Sequence, residues 1–482
     1  MKNSHDIIAL SSICFGTSGA RGLVADMTDE LCFAYTLAFV QSIALAPHSR
    51  VAVGMDLRPS SPVIAGACIA AMRYAGFEVD FCGIIPTPAL AYYAQQHNMP
   101  ALMITGSHIP FDRNGIKFYR ASGEISKQDE MAITQINAVM PALVEPVALP
   151  AINRDAYQCY VDRYIQFFPS QALAGMRLGF YEHSSVARDL LPEILEALGA
   201  EVISIGRTDA FVPIDTEAVS EEDARRAQQW AQDVGFDAIL STDGDADRPL
   251  LGDENGHWLR GDVVGILCAQ YLGAEAVVTP VSSNTAVEQC GAFAKVMRTR
   301  IGSPYVIAGM EELIKRGYSN VVGFEANGGF LVATPMQKNN AVLQVLATRD
   351  AVLPILALLA MAKQGGMKLS ELPNNLPQRY TASDRLQAFP SENSQALLRS
   401  LASSSAATQE FLDDCCGKST GRDQTDGLRL QFANGEILHL RPSGNAPELR
   451  CYAEADTQVR ADELVRTCLS RIRGTIALPL NT

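Results

Sequence analysis

The sequence predicts three related α/β domains, built from βαβ units in mixed sheets, followed by a C-terminal α+β domain. A strand–loop–helix–strand pattern occurs three times in the first part of the chain. Beyond this part the pattern changes to short strands joined by tight turns. A chain of 482 residues is also longer than one hydrophobic core usually organises, which favours three or four domains.

The three repeats share one plan, in which a buried strand leads through a serine-containing loop into a helix and a second strand. They run from VAVG (51–54) through DLRPSS to FEVDFCG (77–83), from RLGFY (177–181) through EHSS to EVISIG (201–206), and from EAVVTP (275–280) through VSSNT and a helix near 287–295 to VMRTR (296–300). The loop side chains either cap these helices or donate hydrogen bonds to an anion at the helix N-terminus.

The C-terminal region predicts an antiparallel sheet with a packed helix. Its strands are LRLQF (428–432), ILHLR (437–441) and LRCYAEA (449–455), and its helix lies near 461–472. Proline-containing connectors near 140–150 and 370–380 separate the predicted units. We therefore predict domains at residues 1–150, 151–262, 263–374 and 375–482.

Composition and charge restrict the class of protein. Apolar residues make up 48% of the chain and charged residues 19%, as in a globular protein with a large core. The formal net charge of −14 argues against a nucleic-acid partner or an anionic membrane, which would require clustered basic residues. The sequence carries no signal for the oligomeric state.

Cysteine spacing and apolar runs predict a cytoplasmic location. The 11 cysteines include no C-x-x-C pair, and the adjacent Cys415 and Cys416 are poor disulfide partners, so reduced thiols are expected. The N-terminal segment has too short an apolar stretch for a signal peptide. The apolar run 351–362 is too short to cross a bilayer and predicts a buried helix.

The segment DAILSTDGDADRP (237–249) carries the strongest metal signal. A buried strand leads into a tight loop with Asp243, Asp245 and Asp247. Such closely spaced carboxylates can converge on one point, and hard oxygen ligands suit Mg²⁺ or Ca²⁺. An EF-hand loop is disfavoured because Arg248 stands at the sixth position, where that loop has glycine. A solvated acidic turn is the other alternative, although three carboxylates repel one another without a cation.

The segment ALMITGSHIPFDRNGIKFY (101–119) predicts a strand that leads into a loop at Ser107. Ligands of α/β sheets bind at the carboxyl ends of strands, so this hydroxyl is a candidate nucleophile or phosphoryl carrier. A simple turn serine is the alternative. His108 is adjacent and Lys117 lies ten residues on, and either could balance charge or move a proton.

Three further segments offer donors for an anion or a sugar, although each alone is compatible with an ordinary turn. CFGTSGARG (14–22) combines amides and hydroxyls with Arg21. GFEANGGF (323–330) brings Glu325 and Asn327 into a glycine-rich loop that can bind sugar hydroxyls. RPSGNAPELR (441–450) suits a phosphate dianion. Its donors are Arg441, Ser443, Gly444, Asn445 and Arg450.

In this order and spacing, the segments resemble the α-D-phosphohexomutase family over essentially the whole chain. TGSHIPFDRNGIK resembles the phosphoserine loop of that family, DGDADR its metal loop, GFEANGG its sugar-recognition loop and RPSGNAPELR its phosphate-binding loop. FGTSGARG resembles the entry motif of its first domain. The resemblance implies four domains around one central cleft, each of which contributes one loop.

The resemblance also implies a role for each residue. Ser107 would carry a phosphoryl group, and Mg²⁺ would bind Ser107, Asp243, Asp245 and Asp247. Basic catalytic positions would be Arg21, Lys117 and Arg248, with His108 as a further candidate. Glu325 and Asn327 would contact the sugar, and Arg441, Ser443, Gly444, Asn445 and Arg450 would hold the phosphate that does not react.

Departures from the family pattern concern the sugar. Many members read Glu-x-Ser-Gly-His in the sugar loop, whereas this chain has Asn327 and Gly329 in place of the serine and the histidine. The EANG form by itself is similar to the loop of members that act on acetylglucosamine phosphate. Combined with RPSGNAPELR, it resembles bacterial members that act on mannose phosphates, so we predict a hexose phosphate of the mannose type. Glucose and (acetyl)glucosamine phosphates are the alternatives within the family. A non-catalytic sugar-phosphate-binding protein and a Mg²⁺ phosphatase are the alternatives outside it.

Overall fold

A computed structural model describes residues 2–16, 19–43, 48–403, 411–412, 415–443 and 448–477. Four main sheets follow one another along the chain, together with a two-stranded ribbon. The first three sheets are mixed and the fourth is antiparallel, as the sequence predicts. The fold class is therefore confirmed, with helices packed against each sheet.

The first sheet has seven strands in a mixed arrangement. Its strands are β1 (Cys14–Phe15), β2 (Ala20–Leu23), β3 (Arg50–Met55), β4 (Glu78–Ile84), β5 (Ala101–Ile104), β6 (Arg113–Arg120) and β7 (Gly123–Glu124). The accompanying helices are α1 (Ser4–Ala9), α2 (Asp29–Ser42), α3 (Ser61–Tyr74), α4 (Thr87–Gln96) and α5 (Lys127–Gln135). Central β3 is parallel to β4 and β5, and Val53 faces one core while Ala52 faces the other. Burial on both faces explains why the strand is apolar from residue 51 to residue 55.

The second and third sheets repeat the arrangement of three parallel strands bordered by antiparallel strands. The second comprises β8 (Arg177–Tyr181), β9 (Glu201–Ile205), β10 (Ala238–Thr242) and β11 (Pro249–Gly252), with α6 (Asp155–Phe167), α7 (Leu190–Ala197) and α8 (Glu221–Val234). The third region comprises α9 (Gly261–Leu272), β12 (Ala276–Pro280), α10 (Ala286–Gln289), β13 (Lys295–Thr299), α11 (Ser303–Lys315), β14 (Val321–Phe324), β15 (Phe330–Val332), β16 (Met336–Lys338), β17 (Ala341–Leu343), β18 (Leu346–Asp350) and α12 (Val352–Gly365).

The helix predicted near 287–295 is shorter than the sequence suggested. It covers only Ala286–Gln289, and Gly291 takes a φ of 65° directly after it. A left-handed residue at this position ends a helix, and the chain then runs extended into β13. The third repeat therefore crosses from strand to strand mainly through irregular backbone.

The fourth sheet is antiparallel and packs against helices, as predicted for this region. Its strands are β19 (Tyr380–Leu386), β20 (Ser419–Asp423), β21 (Leu428–Phe432), β22 (Ile437–Pro442) and β23 (Leu449–Ala455), and its helices are α13 (Ser391–Ser403) and α14 (Gln458–Ala477). The sequence patterns identified β21, β22 and β23 but missed the two edge strands. Since β19 and β20 each have a single neighbour, they carry fewer buried side chains and a weaker pattern.

The predicted buried helix is α12, whose apolar side chains pack against α9 and into the largest hydrophobic core. Within the described residues, no single helix combines the length and apolar composition needed to cross a membrane. Only α12 taken together with the 3₁₀ helix Leu369–Asn375 passes such a test, and the two are bent by 89°.

Candidate active site

Ser107 lies in the turn that follows β5, at the carboxyl end of the strand. It is fully buried and adopts a φ of 54°, which is uncommon for a residue with a side chain. Its hydroxyl donates a hydrogen bond to Asp243 Oδ2 at 2.6 Å, across from the first sheet to the second. His108 Nδ1 lies 3.3 Å from the same hydroxyl oxygen. The strained backbone therefore aims one reactive hydroxyl at the aspartate loop.

The loop that carries Ser107 is held by Arg58, a residue that the sequence analysis did not single out. The Arg58 guanidinium donates to the carbonyl oxygens of Ser107 at 2.9 Å and Pro110 at 2.7 Å. Asp56 accepts from Arg58 at 3.2 Å, and the Phe211 ring lies 4.0 Å from the guanidinium carbon. A charged pair directly after buried β3 was the available signal, since the aspartate loop follows β10 in the same way.

The three aspartates lie in the turn between β10 and β11, which pair antiparallel. Asp243, Asp245 and Asp247 are all buried, and one oxygen from each lies within 4.8 Å of the others. The Asp247 and Arg248 backbone amides both donate to Asp243 Oδ1 at 3.1 Å. The turn thus folds back on itself and makes the three carboxylates converge, as the spacing predicts.

A positively charged nitrogen already lies among these carboxylates. Lys117 Nζ is 2.6 Å from Asp245 Oδ2 and 2.6 Å from Asp247 Oδ2, and the Thr87 hydroxyl donates to Asp245 as well. In contrast, Oδ1 of Asp245 and Oδ1 of Asp247 are buried and accept no hydrogen bond, although Arg248 Nε lies 3.6 Å from Asp247 Oδ1. Buried carboxylate oxygens without donors are suited to a hard divalent cation, so the residues fit such an ion.

Burial and mutual repulsion perturb the aspartates unequally. Burial, followed by the charges of Asp245 and Asp247, raises the pKa of Asp243 well above its usual value. Burial acts in the same direction on Asp247, but Arg349, Lys117 and Arg248 outweigh it and lower the pKa of Asp247. Asp247 is therefore ionised, whereas the neighbouring carboxylates disfavour the ionised form of Asp243.

Basic groups cluster beside Ser107. Burial, reinforced by Arg248, lowers the pKa of Arg21 to about 10. Burial and the positive charges of Arg248 and Arg21 hold the pKa of His108 well below its usual value, so its imidazole is neutral at neutral pH. The Nε atom of Arg21 is buried without a hydrogen-bond acceptor, which suits the binding of a further anion here, whereas Arg248 Nε lies 3.6 Å from Asp247 Oδ1 and 3.9 Å from Asp243 Oδ2.

The loop that follows β14 carries Glu325 and Asn327. Arg349, which the sequence analysis also missed, donates to Glu325 Oε2 at 2.8 Å and to Asp247 Oδ2 at 2.8 Å. Asn327 Oδ1 accepts the Gly329 amide at 2.9 Å, so this oxygen stabilises its own loop. The structure therefore brings Glu325 beside the aspartate cluster. A charged Arg349–Asp350 pair between apolar segments was the only signal for Arg349.

Arg441 and Arg450 lie directly opposite each other on β22 and β23. The Ser443 amide donates to the Glu448 carbonyl at 2.8 Å and closes the loop between these strands. Gly444 and Asn445, which were predicted to bind phosphate, lie outside the described residues. Half-buried Glu217 and Arg450 line the same cavity beside this loop.

Models of known protein families match four successive parts of the chain. They describe domains I, II, III and the C-terminal domain of phosphoglucomutase/phosphomannomutase, and they match residues 12–139, 157–256, 260–380 and 384–468, respectively. The chain belongs to the phosphoglucomutase/phosphomannomutase family. The predicted resemblance to the α-D-phosphohexomutases is thereby confirmed.

Individual members of the phosphoglucomutase/phosphomannomutase family are similar to the chain along nearly its whole length. A phosphomannomutase from Salmonella muenchen is 47% identical over 474 residues, which cover 98% of each chain. A phosphomannomutase from Sinorhizobium fredii is 44% identical over 471 residues, or 96% of this chain and 99% of the relative. A solved family protein from Burkholderia thailandensis shares the fold with a TM-score of 0.73 at 18% identity, covering 96% and 98% of the two chains.

Proposed function

We propose that the protein is a Mg²⁺-dependent phosphomannomutase that interconverts mannose 6-phosphate and mannose 1-phosphate. The reaction would proceed through phosphoserine 107 and a hexose 1,6-bisphosphate. The observation that carries this proposal is the 2.6 Å hydrogen bond from Ser107 Oγ to Asp243 Oδ2. It joins the one strained, buried serine after β5 to the carboxylate cluster, although 136 residues separate the two in the chain.

The proposed chemistry consists of two phosphoryl transfers, each of a different phosphoryl group. In the first transfer the bond from Ser107 Oγ to phosphorus breaks, and a bond forms from the free sugar hydroxyl to phosphorus. The bisphosphate then turns over in the cleft, and Ser107 takes the other phosphoryl group in the reverse reaction. Atoms are conserved, because each transfer exchanges one ester for another and releases no phosphate. Such a reaction depends on positioning and charge stabilisation more than on further covalent chemistry.

Asp243, Asp245 and Asp247, together with an oxygen on Ser107, would hold the Mg²⁺. When bound, the ion would stabilise negative charge on the group in transfer. Two observations support this assignment: the three carboxylates converge within 4.8 Å, and Oδ1 of both Asp245 and Asp247 is buried without a donor. Carboxylate oxygens are the ligands that Mg²⁺ prefers in proteins.

The basic residues would bind the moving phosphoryl group and carry protons. Half-buried Arg21 and buried Arg248 would donate hydrogen bonds to its oxygens from their guanidinium groups. Neutral His108 would donate to or accept from the serine oxygen, 3.3 Å away. Lys117 is the candidate to move the proton of the attacking sugar hydroxyl; because its ammonium form pairs with Asp245 and Asp247 in the structure, it must release a proton before it can act as a base.

The remaining predicted residues would hold the two ends of the substrate. Glu325 and Asn327 would contact sugar hydroxyls from the loop after β14. The distal phosphate would bind Arg441, Ser443, Gly444, Asn445 and Arg450 in the C-terminal domain. Both substrates must use this phosphate site in turn, because either phosphate becomes the distal one. Loops from all four predicted domains, 1–150, 151–262, 263–374 and 375–482, would thus serve one cleft.

A cytoplasmic location accompanies this proposal. All 11 cysteines of the chain lie in its described part, and none forms a disulfide bond. Cys415 and Cys416 are adjacent, yet their sulfur atoms lie 3.7 Å apart and are not bonded. Unpaired thiols in this number are typical of a reducing compartment.

The preference for mannose rests on the phosphomannomutases that are 47% and 44% identical to the chain. It is tested by an assay of mutase turnover with the 1-phosphates of mannose, glucose and N-acetylglucosamine at matched concentrations. We expect the highest kcat/KM with mannose 1-phosphate. Equal values for the three sugars would contradict the mannose assignment, and net phosphate release would contradict the mutase assignment.

Intact-mass measurement tests the serine separately from the sugar. The purified protein should contain a fraction that is about 80 Da heavier, which corresponds to one phosphoryl group. Ser107→Ala should abolish this fraction. Ser283→Ala is a matched control, because Ser283 is another buried serine, in the loop after β12, and should leave the heavier fraction in place. A heavier fraction that persists in Ser107→Ala would refute the assignment.

A further inference from the structure

We propose that Arg349 is a positioning residue that couples the aspartate loop to the sugar loop. By holding Asp247 and Glu325 at once, it would make cation binding and hexose phosphate binding depend on the same side chain. The inference deepens the proposed function and rests on it, because it assumes that the aspartates bind a divalent cation. Arg349 need not touch the substrate for this role.

The geometry of Arg349 is that of a two-sided clamp. Its side chain is 2% exposed and lies between two carboxylates that are also almost completely buried. Nη1 donates to Glu325 Oε2 at 2.8 Å, whereas Nη2 and Nε donate to Asp247 Oδ2 at 2.8 and 3.2 Å. A planar guanidinium fork fixes the relative orientation of two acceptors, which a point charge cannot do.

The sugar loop leaves room for this clamp at Gly329. A Cβ atom at this position would lie 2.6 Å from Cδ and 2.8 Å from Cγ of Arg349, well inside van der Waals contact. The glycine that ends the EANGG sequence is therefore required where the arginine passes. Arg349 occupies space that a side chain from the loop would otherwise fill, so the loop and the arginine form one packed unit.

The strand that carries Arg349 is anchored on its opposite face. Side chains alternate along β18, so Thr348 and Asp350 point away from the site while Arg349 points into it. The Thr348 hydroxyl donates to Glu124 Oε1 at 2.6 Å. Buried Asp350 accepts from Tyr160 at 2.6 Å and also from Tyr164. These contacts hold the backbone of β18 in place and thereby position the Arg349 guanidinium between the aspartate loop and the sugar loop.

Loss of the clamp has opposite consequences for charge and for geometry. Replacing the positively charged Arg349 side chain leaves the aspartate cluster more negative. By charge alone, a divalent metal ion would then bind more tightly. However, Asp247 would lose the donors that hold Oδ2 and fix the direction of Oδ1, which accepts no hydrogen bond and lies 3.6 Å from Arg248 Nε. Asp247 and Glu325 would also lose the cation they share and would repel each other. We expect the loss of carboxylate orientation to outweigh the gain in negative charge, so that divalent-cation binding weakens.

The test uses the full-length protein with Arg349→Met and Arg349→Lys, and Mn²⁺ as a paramagnetic probe of the cation site. Mn²⁺ affinity is measured by electron paramagnetic resonance without substrate, and KM and kcat are then measured for mannose 1-phosphate. We expect Arg349→Met to weaken Mn²⁺ binding ~10–100-fold, as for other groups that orient metal ligands. It should also raise KM, while Arg349→Lys should restore part of both losses because its ammonium reaches one carboxylate.

Arg163→Met is the matched control. Arg163 is another buried arginine, on α6, and it donates to the Gln344 carbonyl at 2.9 Å and contacts the Tyr92 ring without touching either loop. This variant should lower thermal stability and leave Mn²⁺ affinity at the native value. If Arg163→Met weakens Mn²⁺ binding as much as Arg349→Met, the effect is general destabilisation and the proposal is overturned.

Native or tighter Mn²⁺ binding in Arg349→Met would likewise overturn the inference, since charge alone would then explain the site. Should Arg349→Met fail to fold, Arg349→Lys decides, and native values for both its Mn²⁺ affinity and its KM would overturn the inference. Failure of the proposed function is recognised separately. A native protein that binds Mn²⁺ but turns over no hexose phosphate refutes the mutase, whereas the Mn²⁺ measurements on the variants still test the clamp.

Discussion

Replacing Asp245 with asparagine removes one negative charge from the proposed cation site and changes almost no volume. Asp245 Oδ2 accepts from Lys117 at 2.6 Å and from Thr87, whereas Oδ1 has no donor. The amide keeps one acceptor but loses the charge that draws a cation to this point. The turn between β10 and β11 should survive, because its backbone amides donate to Asp243 rather than to Asp245.

The expected magnitude follows from electrostatics. A carboxylate and a monovalent cation 4 Å apart attract by about 4 kcal/mol at an effective dielectric constant near 20. The attraction to a divalent ion is larger, and dehydration of the ion offsets part of it. We therefore expect a loss of about 3 kcal/mol, which corresponds to a ~100-fold increase in the Mg²⁺ concentration that gives half-maximal activity.

The assay is mutase turnover as a function of Mg²⁺ concentration, with Mn²⁺ binding measured in parallel. Asp253→Asn provides the control, since Asp253 is a buried aspartate of the same region that accepts the Asn255 and His257 amides at 2.8 and 2.9 Å. It should leave the Mg²⁺ dependence unchanged. A native Mg²⁺ dependence in Asp245→Asn would refute the assignment of the aspartates to the cation.

Three further substitutions test other parts of the site and its support. Arg441→Ala should raise KM ~10-fold or more with little change in kcat, because it removes a charge-assisted hydrogen bond to the distal phosphate. The control is Arg399→Ala, at an exposed arginine. An unaltered KM for Arg441→Ala would contradict the role of Arg441 in phosphate binding. Arg58→Lys should lower kcat ~10-fold and speed proteolysis within residues 107–113, since an ammonium group cannot replace the guanidinium hydrogen bonds to the Ser107 and Pro110 carbonyls. Cleavage at the native rate would contradict the role of Arg58 in holding this loop. Tyr160→Phe should lower the free energy of unfolding in urea by about 1–3 kcal/mol, because buried Asp350 loses a donor at 2.6 Å. Tyr157→Phe on the same helix loses only an exposed hydrogen bond to Glu193 and should change it by less than about 0.5 kcal/mol, so equal effects would contradict the argument.

Much of the site could be predicted because its residues follow buried strands. Ser107 comes after β5 and the aspartates after β10. An apolar run that ends in polar residues indicates such a position from the sequence alone. The carboxyl-end rule for α/β sheets then predicts that these residues bind a ligand. The C-terminal arginines were found in the same manner, from strands β22 and β23 on either side of one loop.

Arg58 and Arg349 could not be predicted in this way. Each belongs to a short charged pair, which is a weak signal because its importance depends on partners elsewhere, and Arg349 is 102 residues from Asp247 in the chain. No local periodicity encodes such a contact, because helical and strand patterns extend over only a few residues. The same holds for Lys117, whose two carboxylate partners were identified as a separate motif before the structure joined them.

The sequence by itself determined the order of the reactive groups, the type of sheet on which each would lie and the chemistry that they could share. Tertiary structure decided which groups meet: the Ser107 hydroxyl with Asp243, Lys117 with two aspartates, and Arg349 with both the aspartate and sugar loops. The physical reason is that backbone hydrogen bonding and hydrophobic period act over neighbouring residues. Contacts between distant side chains are set instead by how whole sheets and helices pack together.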